Sequence, residues 1–303
     1  MNRIRAAGRS QAIAFRDILE LLKPVTWFAP VWAFGCGLVA GGGAGASLSL
    51  AAAAGGLLLA GPLVCGASQA ANDWFDRHVD AVNEPHRPIP SGRLPGRTGL
   101  IVAVAVSLLA LVVAAAISAL VLAATALALL SGWAYSAPPL RLKANGLAGV
   151  LVTGISYEGL AWLTGALVAG GAAALSRPLM LPIALLYSLG AAGIMVLNDF
   201  KAVEGDRQSG IRSLPAMLGI AASARLACWM MALPQLGVIA LLAWHGLSYG
   251  AVFVTLSLVA QAIAMRRMAS DPRGLAPWYN QTGVTLFVAG MMASAIAIRT
   301  AAG

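Results

Sequence analysis

The chain has 303 residues, of which 59% are hydrophobic and only 10% are charged, and its formal net charge is +9. Soluble domains carry about 25% charged residues, so this composition excludes a water-soluble fold. The basic residues lie in short loops between apolar runs, where an excess of positive charge sets membrane topology and does not indicate nucleic-acid binding.

The residues that precede the first apolar run are basic. We predict that residues 1–23 form a cytoplasmic arm and that residues 24–303 form a single transmembrane domain. The first apolar run is too long for the hydrophobic region of a signal peptide. The three cysteines lie far apart in apolar segments: Cys36, Cys65 and Cys228. Their spacing predicts neither a disulfide nor a zinc site.

Apolar runs of roughly twenty residues, the length that crosses a bilayer core of about 30 Å, predict an all-α polytopic protein with nine transmembrane helices. The third and fourth spans divide one long uncharged run, because a single helix of that length would overshoot the bilayer. The predicted spans are 24–44, 48–71, 98–115, 118–135, 147–168, 178–198, 223–244, 247–267 and 280–299.

The charges in the loops agree with this count and predict an orientation. With the N-terminus in the cytoplasm, the N-terminal arm and the loops after even-numbered spans hold every lysine and arginine except Arg177 and Arg299. The positive-inside rule predicts this distribution. It leaves the C-terminus in the periplasm.

The first of two acidic clusters follows the second span and reads NDWFDRHVD, from Asn72 to Asp80. On a helix, Asp73, Asp76 and Asp80 share an arc of about 60° and form one acidic stripe. This stripe lies at the predicted cytoplasmic face.

The second acidic cluster follows the sixth span and reads NDFKAVEGD, from Asn198 to Asp206. Its residues Asn198, Asp199 and Asp206 repeat part of the first cluster. They match Asn72, Asp73 and Asp80 at one constant offset. Ala202 occupies the position of the remaining acid, and Glu204 is an extra acid nearby. The offset predicts an internal pseudo-repeat of about four helices, an arrangement that places sites at the repeat interface in other membrane folds.

Crowded carboxylates repel each other unless a cation holds them or some are protonated. Oxygen ligands suit Mg²⁺, which commonly bridges to substrate phosphates, so the clusters predict a magnesium site for a diphosphate. A solvated helix end with ordinary charges is the alternative, and two copies at one spacing argue against it. The candidate metal ligands are Asn72, Asp73, Asp76, Asp80, Asn198, Asp199, Glu204 and Asp206, with Asp73, Asp76 and Asp199 as catalytic carboxylates.

Basic residues beside the clusters are candidates for binding a diphosphate. In the segment YSAPPLRLK, Arg141 and Lys143 follow a pair of prolines that end the fourth span. Arg could bind a diphosphate as a fork and Lys as a point charge, although a simple topology anchor explains both equally well. The complete candidate set is Arg77, Arg141, Lys143, Lys201 and Arg207.

Glu158 is the only acid inside a predicted span, where an ionisable group costs about 3 kcal/mol to insert. Two interpretations are equally weighted. Glu158 contributes to a substrate cavity together with Tyr135, or it is a neutral, hydrogen-bonded side chain between helices.

These features resemble the UbiA superfamily of intramembrane prenyltransferases, in the NDxxDxxxD pattern, the second acidic region and the nine spans. Within that superfamily the chain is similar to the bacteriochlorophyll synthases, which are related to chlorophyll synthases, from about Leu21 to Arg299. The stretches that carry this similarity are GPLVCGASQAANDWFDRHVDAVNEPHRPIPSGR, YEGLAW, NDFKAVEGDRQSGIRSLPAMLG and PWYNQTGVTLFVAGMM. Ala202 departs from the DxxxD motif of ubiquinone-type members, which leaves the role of Glu204 open.

The resemblance implies a helical bundle around a central cavity, with Mg²⁺ and a prenyl diphosphate at the Asp-rich motifs and an apolar tunnel for the prenyl tail. It implies transfer of a geranylgeranyl or phytyl group to the propionate of bacteriochlorophyllide. The implied location is a bacterial photosynthetic intracytoplasmic (inner) membrane, where other proteins of pigment biosynthesis or assembly could associate with it.

A propionate is already an anion at neutral pH, so we expect no strong general base. The enzymatic alternatives are chlorophyllide esterification and alkylation of a quinone or haem precursor by a UbiA-type enzyme. A CDP-alcohol phosphotransferase would need a DGxxAR motif, which this sequence lacks. The alternative from another class is a cation-coupled transporter, although transport sites usually lie near the bilayer midplane.

Overall fold

The computed structural model describes residues 13–42 and 48–301, so most of the predicted basic arm lies outside the described residues. In these two ranges the secondary structure is helical, without β-strands. The α-helices are, in chain order, α1 (Phe15–Leu22), α2 (Phe28–Gly41), α3 (Leu50–Leu58), α4 (Gly66–Asn83), α5 (Thr98–Ile117), α6 (Ala119–Ser136), α7 (Gly146–Gly154), α8 (Ala161–Leu175), α9 (Met180–Asn198), α10 (Val203–Gln208), α11 (Leu214–Leu218), α12 (Ile220–Trp244), α13 (Ser248–Met268) and α14 (Pro272–Ala301).

Within residues 13–42 and 48–301, eight helical stretches are long and apolar enough to cross a membrane. A ninth results if the bent pair Phe15–Thr26 and Phe28–Gly41, whose axes meet at 59°, counts as one span. The predicted all-helical membrane fold is therefore confirmed, whereas the count of nine, the pseudo-repeat and the division at residue 24 stay predictions. The eight stretches are Leu50–Asn83, Thr98–Ile117, Ala119–Ser136, Gly146–Leu175, Met180–Lys201, Ile220–Trp244, Ser248–Met268 and Pro272–Ala301.

The long uncharged run between the two acidic clusters folds into two helices, α5 and α6, as predicted. Ser118 lies between them in an extended conformation, and its hydroxyl accepts a hydrogen bond from the backbone N–H of Val121. A serine in this position satisfies one of the unpaired N–H groups at the start of a helix. The break thus falls at a serine that caps the helix that follows.

Two membrane-spanning stretches contain π-helical turns. Leu59–Cys65 joins α3 to α4, and Ile155–Leu160 joins α7 to α8. Pro62 lies inside the first turn and has no backbone N–H to donate to the helical ladder. Both turns border the same large cavity, which agrees with the frequent occurrence of π-turns at functional sites.

Helices α2 and α8 pack at backbone distance because glycines line their contact. A Cβ atom on Gly37 would lie 1.8 Å from the carbonyl oxygen of Trp162, and one on Gly165 would lie 2.0 Å from that of Phe34. Small residues allow such close packing between membrane helices, where van der Waals contact contributes much of the association energy. This pair forms one wall of the bundle.

Two loops meet at the end of the bundle where α4 and α9 finish. The backbone N–H of Gly146 donates to the carbonyl of Arg212 at 2.8 Å, and the N–H of Arg212 donates to Ala144 at 3.1 Å. These bonds join the loop after α6 to the loop after α10. The two acidic clusters and the YSAPPLRLK segment therefore share one end of the molecule.

Candidate active site

A small polar cavity of about 180 Å³ lies where the ends of α4 and α9 meet the two joined loops. Its lining includes three carboxylates, those of Asp76, Asp199 and Asp206. It also includes the amide of Asn72 and the amine of Lys143. Both acidic clusters and the basic segment thus contribute to one cavity.

Lys143 and Asp76 form an ion pair inside this cavity. The Lys143 amine donates to one carboxylate oxygen of Asp76, and Arg141 lies 3.5 Å from the other. Lys143 is only 8% exposed. Burial lowers the pKa of its amine, and the neighbouring Asp76 carboxylate opposes that effect. Asp76 therefore holds a cation in a place where an isolated one would be costly to bury.

The second acidic cluster contributes Asp199 at the end of α9 and Asp206 on α10. The hydroxyl of Ser213 donates to Asp206 at 2.6 Å. Burial raises the pKa of Asp206, and the Ser213 hydroxyl opposes that change. Asp199 lines both the polar cavity and the larger cavity that adjoins it.

The adjoining cavity is larger, about 800 Å³, and mostly apolar. Its walls come from both π-helical turns and from α2, α4, α6, α7, α8, α9 and α14. The residues that line both cavities are Asn72, Tyr135, Thr153, Met195 and Asp199. The site therefore combines a small polar, charged cavity with a larger, mostly apolar one.

The oxygen donors around the polar cavity suit a magnesium ion. Asn72, Asp76, Asp199 and Asp206 supply hard oxygens, which Mg²⁺ prefers. Among the described residues, no three His, Cys, Asp or Glu side chains already form a preformed metal cluster. Mg²⁺ commonly binds through one or two carboxylates, waters and substrate phosphates, so the donor set fits a metal that arrives with a diphosphate.

Asp73 and Asp80 lie beside this cavity, outside the lining of either cavity. Asp73 is 2% exposed and accepts from Lys23 at 2.6 Å and from Arg87 at 3.4 Å. Arg87 also donates to Asp80 at 2.9 Å. Burial opposes the charge of Arg87, but the acidic neighbours outweigh it and raise its pKa. These two aspartates fix the segments around residues 23 and 87 against α4.

The two remaining predicted metal ligands, Asn198 and Glu204, also lie outside the lining of the polar cavity. Asn198 lines the large cavity, and its amide oxygen accepts from the side chain of Asn280 at 2.8 Å. Glu204 instead forms two 2.8 Å hydrogen bonds with Arg273 on the exposed surface, and that partner lowers its pKa. Glu204 therefore lies outside the lining of both cavities.

Of the predicted diphosphate-binding residues, Lys143 lines the polar cavity and Lys201 lines the large one. Arg77 donates to the carbonyl of Trp74 and stacks on its ring at 4.3 Å. Arg207 is exposed and donates to a backbone carbonyl at 3.4 Å. Neither of these two arginines lines the polar cavity or the large cavity.

Several polar residues of the large cavity carry no charge and were not singled out from the sequence. Tyr157 accepts a hydrogen bond from Gln69 at 2.8 Å, and both residues line the cavity. Thr125, Ser156 and Asn280 line it as well. Gln69, Tyr157 and Asn280 lie within three of the stretches that carry the family resemblance, GPLVCGASQAAND, YEGLAW and PWYNQTG, and that is the sequence signal that could have found them.

Comparison with known proteins identifies the class. The sequence model of the UbiA prenyltransferase family matches residues 28–298, so the chain belongs to that family. The protein is therefore an enzyme of the prenyltransferase kind.

Its curated relatives are more specific. The chain is 53% identical to the "Bacteriochlorophyll synthase 33 kDa chain" of Cereibacter sphaeroides, over 94% of this chain and 93% of that one. It is 51% identical to the protein of that name from Rhodobacter capsulatus, with the same coverage. The chloroplastic chlorophyll synthase of Avena sativa is 34% identical, over 92% of this chain and 75% of that one.

Solved structures share the fold. One concerns the biosynthesis of digeranylgeranylglyceryl phosphate synthase in membranes and superposes with a TM-score of 0.69 at 19% identity, covering 93% of this chain and 98% of that one. A UbiA homolog from Archaeoglobus fulgidus, bound to GPP and Mg²⁺, superposes with a TM-score of 0.67 at 21% identity, covering 94% and 99%. The predicted UbiA-type bundle is confirmed.

Proposed function

We propose that this protein transfers a geranylgeranyl or phytyl group from its diphosphate to the propionate carboxylate of bacteriochlorophyllide. The observation that carries the proposal is that an acidic polar cavity shares lining residues with a larger, mostly apolar one. Such a shape suits a substrate with a charged head and a hydrocarbon tail. The 53% identity to a bacteriochlorophyll synthase chain supports the choice of acceptor.

The polar cavity would hold the diphosphate, with Mg²⁺ held by Asn72, Asp76, Asp199 and Asp206. Bound there, Mg²⁺ would neutralise the diphosphate leaving group and lower the cost of breaking its carbon–oxygen bond. Lys143 provides a further positive charge at the same place. Comparison of variants at Asp73 and Asp76 decides whether Asp73 also binds the metal.

In the reaction, a propionate oxygen forms a bond to the allylic carbon of the prenyl group. The bond between that carbon and the diphosphate oxygen breaks, and its electron pair leaves with the diphosphate. The propionate is already ionised at neutral pH, so no residue has to remove a proton from it. The apolar walls of the large cavity exclude water, which would otherwise capture the developing allylic cation.

We further propose that the protein resides in a bacterial inner membrane with its polar cavity at the cytoplasmic face. The placement of both acidic clusters and the loop arginines at one end of the bundle supports this orientation, because basic loops remain in the cytoplasm. The C-terminus would then be periplasmic. Contacts with other proteins of pigment biosynthesis would form outside the cavities.

The direct test is an esterification assay on membranes that contain the protein. Bacteriochlorophyllide, geranylgeranyl diphosphate and Mg²⁺ are supplied together, and parallel samples contain a chelator or replace the acceptor by chlorophyllide or a quinone precursor. We expect ester with bacteriochlorophyllide and none after chelation. Product with a quinone precursor alone would keep the prenyl transfer and overturn the proposed acceptor.

A further inference from the structure

The buried polar atoms that lack a hydrogen-bond partner concentrate around the large cavity. Among the described residues, the side chains with such atoms are those of Thr125, Ser156, Glu158, Ser223 and Asn280. All of them except Ser223 line the large cavity. A buried polar group without a partner costs free energy, so this concentration indicates an occupant that supplies the missing hydrogen bonds.

Glu158 is the ionisable side chain of this group and therefore the most costly to bury without a partner. It lies on the π-helical turn Ile155–Leu160, is only 4% exposed, and one of its carboxyl oxygens has no partner within the described structure. An ionisable side chain at membrane depth is expensive and usually marks a functional site. Its neighbours Ser156 and Tyr157 line the same cavity, so this turn presents three consecutive polar side chains to one space.

The prenyl tail cannot provide these partners, because a hydrocarbon chain has neither hydrogen-bond donors nor acceptors. The tetrapyrrole acceptor can provide them for the hydroxyls of Thr125 and Ser156 and for a neutral Glu158 carboxyl group, because the carbonyl oxygens at the periphery of its ring accept hydrogen bonds. Thr125 on α6, Glu158 on the π-turn and Asn280 on α14 approach the cavity from different helices. The cavity volume of about 800 Å³ falls within the range of pockets that enclose whole organic ligands.

We propose that the large cavity receives the tetrapyrrole ring together with the prenyl tail, and that Glu158, as a neutral carboxylic acid assisted by the hydroxyls of Ser156 and Thr125, donates a hydrogen bond to a carbonyl group on the periphery of that ring. The inference rests on the proposed function and assigns the polar group that the site recognises in its acceptor. Glu158 is then an acceptor-binding residue, and the residues at the junction of the two cavities are the ones the propionate must approach.

The test compares Glu158→Leu with Glu158→Gln in the esterification assay, with separate KM values for each substrate. Leu has a similar volume and removes both hydrogen-bonding atoms, so we expect the KM for bacteriochlorophyllide to rise by about tenfold, the value of one hydrogen bond. The KM for geranylgeranyl diphosphate and the Mg²⁺ requirement should not change. Gln keeps a donor and an acceptor and should restore most of the affinity for the acceptor.

Two controls separate binding from a structural effect. Ser223→Ala removes an equally unpaired hydroxyl outside the cavity and should leave the acceptor KM unchanged. An acceptor whose ring carbonyl groups are replaced by methylene groups should bind less well to the wild type but no less well to Glu158→Leu than the natural acceptor. If Glu158→Leu does not fold, Thr125→Val, which has nearly the same shape, replaces it.

Failure of this inference differs from failure of the proposed function. Wild-type membranes that form no ester from bacteriochlorophyllide remove the proposed function and this inference with it. Normal ester formation by the wild type, combined with an unchanged acceptor KM in Glu158→Leu, overturns only the inference. Equal rises in the KM values of both substrates would do the same, because they would indicate a general distortion.

Discussion

Two aspartates one turn apart on α4 have different surroundings. Asp76 lines the polar cavity with Lys143, whereas Asp73 is enclosed by Lys23 and Arg87. We expect Asp76→Asn to lower ester formation by about a hundredfold or more, because it weakens the site for the Mg²⁺ that would neutralise the leaving group. The Mg²⁺ concentration needed for half-maximal rate should rise, measured by titrating Mg²⁺ in the membrane assay.

Asp73→Asn is the matched comparison, since the chemical change and the helix are the same. It leaves two basic side chains without their buried partner, which should lower the free energy of unfolding by about 3 kcal/mol. That value is the low end of the range because the Lys23 and Arg87 side chains are 22% and 26% exposed. An equal rise in Mg²⁺ requirement for both variants would show that Asp73 also binds the metal.

Lys143 is the cation that the structure places in the polar cavity. We expect Lys143→Met to raise the KM for geranylgeranyl diphosphate by about 10- to 100-fold, the value of a charged hydrogen bond, with little change in the KM for the acceptor. Arg97→Met removes a charge from an exposed position of a loop and should leave both KM values near wild type. Similar effects of the two variants would attribute the result to general surface charge.

The contact between α2 and α8 depends on glycine at particular positions. A Cβ atom on Gly37 would meet the Trp162 carbonyl oxygen at 1.8 Å, whereas one on Gly35 would meet nothing within 4 Å. We expect Gly37→Ala to lower stability by about 1 to 3 kcal/mol through overpacking. Gly35→Ala should be neutral or slightly stabilising, because alanine is the better helix former. Thermal unfolding in detergent measures both, and equal midpoints would contradict the packing described for this pair.

Helices were the most predictable elements of this chain, because each apolar run is long and ends at polar residues. Even the break inside the uncharged run was expected, and Ser118 provides it by capping α6. The π-helical turns Leu59–Cys65 and Ile155–Leu160 left no such pattern, since their composition is that of the surrounding apolar helix. The second predicted span ended at residue 71, because hydropathy falls where the helix leaves the membrane, whereas α4 continues to Asn83, as the acidic stripe of Asp73, Asp76 and Asp80 required.

The composition of the candidate site was predictable where charge concentrates in the sequence. Both acidic clusters and Lys143 were proposed from spacing, and the structure brings Asp76, Asp199 and Asp206 together. Which acids face inward was not predictable, because pairs such as Lys23 with Asp73 join residues fifty positions apart. The same holds for Glu204, whose contact with Arg273 depends on how α10 lies against the start of α14.

At the scale of the whole molecule, the orientation in the membrane makes a separate prediction. Ser270 and His245 are exposed residues beyond opposite ends of α13. In a variant without the native cysteines, we expect His245→Cys to react with a membrane-impermeant thiol reagent in intact cells. Ser270→Cys should react only after the cells are opened. The reverse pattern would place the polar cavity on the periplasmic side.

The central claim is that this fold transfers a prenyl group from diphosphate to a carboxylate. It is tested most directly with bacteriochlorophyllide whose propionate carries a heavy oxygen isotope on both oxygens, incubated with geranylgeranyl diphosphate, Mg²⁺ and membranes containing the protein. Attack of the propionate on the allylic carbon predicts, by mass spectrometry, an ester that retains both labelled oxygens. An ester that has lost one label would indicate activation of the carboxyl group instead and would contradict the mechanism, and the absence of any ester would contradict the function.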